Sequence, residues 1–102
     1  MEHRYQIKYL PAAEQDLDEI IEYIQLDNPP AAAGFLNHLD QSISQLSYFP
    51  FIRAIPKDQR LKAFGYRMLI IDIYLVFYVV LQDIVEIRRI IHGKRRYAFL
   101  LS

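Results

Sequence analysis

The densest chemistry in the chain lies at residues 88–97, Arg-Arg-Ile-Ile-His-Gly-Lys-Arg-Arg-Tyr, where ten positions hold five basic residues, one histidine and one tyrosine. Such a set suits phosphate. Arginine offers a planar fork for bidentate contacts, lysine a point charge, and an adjacent tyrosine can stack on a base. Residues 84–91 read as a strand, and alternation sorts their side chains. Val85, Ile87 and Ile91 fall on one face, assigned to the helices; Glu86, Arg88, Ile90 and His92 fall on the other. Gly93 breaks the strand and leaves Lys94, Arg95 and Arg96 on the turn that follows. The alternative is a solvated basic tail. Arg67 is the second candidate. It enters the apolar stretch Gly65-Tyr66-Arg67-Met68, where its charge needs an anion, an open surface or a path to water.

Other chemistries lack their residues. There is no cysteine, hence no disulfide, thiolate ligand or thiol nucleophile. No Gly-rich phosphate loop, His-Glu-x-x-His or Gly-x-Ser-x-Gly occurs. Asp16, Asp18, Glu19 and Glu22 share one helical stretch with no histidine close in sequence. They read as a solvated face, so no metal or cofactor is expected. Twelve basic and twelve acidic residues cancel over the chain, but not along it. Residues 1–50 hold two basic against eight acidic residues, a net of −6; residues 51–102 hold ten against four, a net of +6. A basic half of this kind points to a polyanion or an acidic partner.

These residues need a scaffold. Residues 4–9 alternate, with Tyr5, Ile7 and Tyr9 on one side, which predicts a strand. From Pro11 to about residue 26 the period becomes helical, and Ala13, Leu17, Ile20, Ile21 and Ile24 form one stripe. Asn28-Pro29-Pro30 ends that helix and starts a second, to about residue 46, with Phe35, Leu36, Leu39, Ile43 and Leu46 as its stripe. Residues 51–64 read as a charged loop with a short edge strand near Arg53. Three runs rich in Ile, Val, Tyr and Phe follow, at 66–71, 74–81 and 84–91. Their separators, Asp72-Ile73 and Gln82-Asp83, lack the glycine or asparagine that tight hairpins prefer. Residues 74–80 are apolar at both parities, which predicts a central strand covered on both faces.

At 102 residues, 53% of them hydrophobic, the chain is a single folded domain rather than a disordered one. Its longest apolar run, 68–81, is interrupted by Asp72 and is too short to span a membrane. The polar N-terminus is unlike a secretory signal, so a cytoplasmic location is expected. Helices grouped together between strands predict an α+β fold: an N-terminal strand, then an antiparallel two-helix hairpin on one face of a curved, mostly antiparallel sheet of about four strands. The apolar stretch 76–81 and the tail 98–101 exceed what so small a domain is expected to bury, which predicts a partner.

Taken together, the pieces resemble the RelE/ParE superfamily of type II toxin–antitoxin systems. The resemblance rests on Ala13-Glu14-Gln15-Asp16-Leu17-Asp18-Glu19-Ile20, on Asn28-Pro29-Pro30-Ala31-Ala32-Ala33-Gly34-Phe35, and on Leu46-Ser47-Tyr48-Phe49-Pro50. It continues through Tyr66-Arg67, Tyr74-Leu75-Val76-Phe77-Tyr78 and the stretch from Val85 to Arg95. It implies a growth-inhibiting toxin, associated with plasmid stabilisation and neutralised by a cognate antitoxin. One branch implies a ribosome-dependent endoribonuclease that cuts mRNA. There Arg67 and Lys94 would neutralise the phosphate, His92 would move the proton, and Tyr97 would stack on a base or donate a proton. The ParE-like branch implies a poison of DNA gyrase, with Arg67, Arg88, Lys94, Arg95 and Arg96 as target-binding residues. Leu69 and Leu75 stand where the ribonucleases place further basic residues, and the pI is only about 6.8. The ending His92-Gly93-Lys94-Arg95 is more similar to the ParE-like branch. A third possibility is an inactive relative that serves as an interaction module.

Overall fold

Proline opens both long helices, because the first turn needs no N–H donor. The computed structural model describes residues 4–94. After β1 (Gln6–Tyr9), Pro11 starts α1 (Pro11–Asp27). Asn28, with φ −152°, ends α1 and caps α2 (Pro29–Gln45): its side-chain oxygen accepts from the Ala31 N–H at 3.2 Å. One residue therefore separates the helices, which pack together on the sheet. Ala13 of α1 is buried, and Ala32, Phe35, Leu39 and Ile43 form the buried stripe of α2.

The sheet has the order β1-β4-β3-β2, with β2 (Tyr66–Ile71), β3 (Tyr74–Leu81) and β4 (Ile84–His92). β1 runs parallel to β4, and the other neighbours are antiparallel. The hairpins turn on Asp72-Ile73 and Gln82-Asp83, with Asp72 and Gln82 each at φ +54°. Aspartate tolerates this left-handed geometry; a residue such as Gln82 adopts it at a cost of about 1 kcal/mol.

Both sheet faces are covered, as the double-parity pattern of residues 74–80 predicts. Leu69, Ile71, Tyr74, Val76, Tyr78, Val85, Ile87 and Ile90 meet the helical hairpin. On the other face Tyr66, Phe77, Val79 and Ile91 pack with Leu61. Leu61 belongs to α3 (Gln59–Ala63), a helix within the stretch expected to be a loop. Its cap was readable: the Asp58 carboxylate accepts from the Arg60 and Leu61 amides at 2.8 and 3.4 Å. The expected edge strand near Arg53 amounts to a single bridge, Ala54 to Met68. The stretch 76–81 is not an exposed patch, since Val76, Phe77, Tyr78 and Val79 are buried. The tail 98–101 lies outside the described residues.

The alternation of β4 changes phase midway. Tyr78 pairs with Ile87, but Phe77 pairs with Arg89, so one step on β3 spans two on β4. This is a β-bulge at Arg88. Ile90 therefore joins the core under the helices and Ile91 the opposite core. The simple parity rule placed these two the other way round.

Tyr78 ties this core to the loop after α2. Its hydroxyl donates to the Pro50 carbonyl at 2.7 Å, and burial pushes its pKa up to about 12. The folded state thus holds the proton more tightly than the unfolded chain, whose tyrosine titrates near 10. That stabilisation is complete below pH 10 and is lost as pH rises through 12, on the order of 2 kcal/mol. Urea titrations across this range should show stability falling, and the fall should shrink in Tyr78→Phe. An equally steep decline in that variant would refute the assignment.

Candidate functional site

The candidate residues do not converge. Arg88 lies on the face away from the long helices. Its Nε donates to Glu86 Oε1 at 2.8 Å, and its guanidinium sits 5.5 Å from the centre of the Tyr66 ring. By register, that face carries Lys8, Glu86 and Arg88 as its charged side chains on the strands, beside the apolar cluster of Tyr66, Phe77, Val79 and Ile91.

Arg67 lies on the opposite face, since it pairs directly with Tyr78 of the helix-side core. Its NH1 donates to the carbonyls of Phe51 at 2.8 Å and Arg53 at 3.3 Å, and the guanidinium stacks 5.1 Å from the Phe51 ring centre. Two peptide carbonyls thus satisfy the charge that the sequence left in need of an anion. The structure makes Arg67 a clamp on the loop 48–55, in the same sheet as Arg88 but on the other face.

His92 follows the bulge to the helix side. It pairs with Tyr74 and meets that ring edge-on at 5.8 Å. Its Nδ1 accepts the Lys94 N–H at 3.1 Å. The expected common face of Glu86, Arg88 and His92 is therefore split between the two sides. His92 borders a cavity of about 330 Å3 shared with Glu19, Tyr23 and Tyr74. Gly93 allows the close turn beyond it: its N–H donates to Ile73 O at 2.8 Å, and a Cβ there would come within 3.1 Å of that oxygen. Lys94 is exposed at the end of this turn. Arg95, Arg96 and Tyr97 lie outside the described residues.

One partly buried pair escaped the sequence reading. Arg89 Nε and NH2 donate to the two carboxylate oxygens of Asp16 at 2.7 and 2.9 Å. The Ile90 amide also donates to Asp16, at 2.9 Å. β1 ends at Tyr9, so no strand satisfies the edge of β4 at this point; the α1 carboxylate does so instead. The bond to Asp16 raises the Arg89 pKa against the pull of burial. Asp16 was expected on a solvated face, yet it is 8% exposed. A signal existed: Asp16 falls three residues after Ala13 and four before Ile20, in register with the apolar stripe. Among the described residues, no three His, Asp or Glu side chains are grouped to hold a metal ion. No helix among them is long and apolar enough to cross a membrane.

A search of curated proteins returns no match. Among solved structures, the chromosomal ParDE toxin–antitoxin system from P. aeruginosa contains a similar chain, with a TM-score of 0.75 and 18% identity over 91% of this chain and 100% of that one. The toxin–antitoxin complex RelBE2 from Mycobacterium tuberculosis contains another, with a TM-score of 0.60 and 20% identity over 87% and 98% of the two chains. At these identities the likeness concerns the fold. The model of the family described as the ParE toxin of the type II toxin–antitoxin system parDE matches residues 7–97, from the first strand through the basic segment after β4. That match spans most of the sequence and every described element, and the chain belongs to the ParE toxin family.

Proposed function

We propose that this ParE-family toxin inhibits growth by acting on DNA gyrase, and that a cognate antitoxin neutralises it. The observation that carries the first part is the scatter of the groups an endoribonuclease would need. Cleavage at a ribose 2′-hydroxyl requires a base, an acid and a charge stabiliser around one phosphate. Here Arg67 is committed to two backbone carbonyls opposite Tyr78, while His92 packs edge-on against Tyr74, four residues away along β3, with its Nδ1 occupied by the Lys94 N–H. The sheet face away from the long helices is partly covered by α3, and its Arg88 is paired with Glu86. The antitoxin is supported by the toxin–antitoxin assemblies to which the fold is similar. Arg88, Lys94, Arg95 and Arg96 are the proposed target-binding residues.

Short induction in a bacterial host, with transcript ends and the DNA-damage response followed together, tests the mechanism. Intact transcripts with a strong damage response are expected. New cuts within translated codons, lost in His92→Ala, would establish the ribonuclease instead. Growth arrest should disappear when Lys94, Arg95 and Arg96 are all changed to Glu, with melting temperature unchanged. Full toxicity in that variant would reduce the cluster to a solvated tail.

A further inference from the structure

We propose that the groove between β1 and the C-terminal end of α2, together with the exposed loop 48–55 beside it, docks an acidic segment of the antitoxin that also carries apolar side chains. The proposal rests on the antitoxin reading above and gives it a location and a chemistry. β1 is the outermost strand, so one of its edges faces away from the sheet. The Gln6 and Leu10 amides donate inward to Asp83 O and Ile87 O, and alternation turns the amide of Ile7 outward. Along this edge runs a cavity of about 670 Å3, bordered by Arg4, Lys8, Ser44, Ser47 and Tyr48. The lining holds two cations and no acid. The Arg4 guanidinium lies 5.4 Å from the Tyr48 ring centre.

The groove continues into the largest apolar exposure of the loop. Tyr48 contacts Phe49 at 6.4 Å between ring centres, and Tyr5 meets Phe51 edge-on at 6.2 Å. Phe49, Phe51, Ile52 and Ile55 are 58%, 54%, 68% and 46% exposed. Five large apolar side chains, counting Tyr48, thus project from eight residues. A cluster this dense marks a partner surface rather than ordinary scatter. In the same loop, Arg53 Nε is buried without an acceptor. The Tyr5 amide on the outer edge of β1 is held by Ser47 O at 2.8 Å, and the edge beyond it, with cations beside exposed aromatic and aliphatic side chains, fits an extended acidic peptide with interspersed apolar residues.

The test uses the full toxin and the full product of the adjacent reading frame, purified from their co-expression and separated, with affinity measured by calorimetry at low and moderate salt. Two double variants are compared with the parent: Arg4→Glu with Lys8→Glu, and Phe49→Ser with Ile52→Ser. All four positions are exposed, and circular dichroism verifies that each variant folds. Each pair is expected to weaken binding at least tenfold. The charge reversal should also flatten the salt dependence, whereas the serine pair should leave it unchanged. If the parent toxin binds the product and both variants bind equally well, the groove proposal falls while the antitoxin reading stands. If the parent does not bind, both fall. A labelled oligothymidylate that binds the parent and is released by the same variants, with antitoxin affinity unaltered, would reassign the groove to nucleic acid.

Discussion

Asp16→Ala should destabilise the fold by about 3 kcal/mol, read as a shift in urea midpoint with little change in slope. The substitution removes a shared acceptor from two donors at once. The Arg89 guanidinium, its side chain 24% exposed, loses both carboxylate contacts, and the Ile90 amide loses its acceptor. Leaving one member of a buried pair costs far more than removing both. Asp16→Leu combined with Arg89→Met should therefore recover most of the loss, apart from the roughly 1 kcal/mol due to the unpaired Ile90 amide. A loss below about 0.5 kcal/mol in Asp16→Ala, the range of an ordinary surface change, would refute the pairing.

Leu61→Ala is expected to cost about 3 kcal/mol and to expose α3 to proteolysis. Leu61 is fully buried and is the residue of this five-residue helix that enters the core with Tyr66, Phe77, Val79 and Ile91. Truncating a buried leucine costs about 2–5 kcal/mol. A helix this short has little stability of its own, so its anchor decides whether it forms. Phe64, next to the helix and 65% exposed, is the control. Phe64→Ala should stay within about 0.5 kcal/mol of the parent. Equal effects at the two positions would mean that α3 does not cover the second face.

The pattern of apolar residues was enough to read the elements that obey one period. The stripe of α2, the strands β1 to β3 and the two-sided burial of β3 followed from spacing alone. The break at Asn28-Pro29-Pro30 followed from proline sterics. The hairpins at Asp72 and Gln82 were harder to read, because tertiary pairing holds both residues at positive φ without glycine. α3 was hidden for a different reason: it has one buried residue, too few to show a period, and only the capping aspartate announces it.

The candidate site was less legible. Arg67, Arg88 and His92 were identified as unusual, but not the sides they face. Arg67 turns toward a loop sixteen residues back in the sequence, and nothing local predicts that its partners would be carbonyls. The adjacent pair Arg88-Arg89 did carry information. Two consecutive charges break the alternation of a strand, and the structure resolves the break with a bulge and a carboxylate from α1.

That bulge lets the two halves of β4 run in opposite phases. Were Arg88 drawn into regular pairing with Phe77, every residue after it would change sides, in the manner of a frameshift read in side-chain directions. Ile90 and Ile91 would exchange, and His92 would emerge on the surface that carries Glu86, away from the long helices. Deleting Arg88 would instead remove the bulge and leave Arg89 opposite Phe77 and Ile90 opposite Val76, with every side kept. Within one fold, the presence of a one-residue bulge thus determines whether a histidine is stacked against a core tyrosine or presented to an incoming ligand. Relatives with the same residues in a regularly paired strand would display a different surface, and aligned residue types alone would not reveal it.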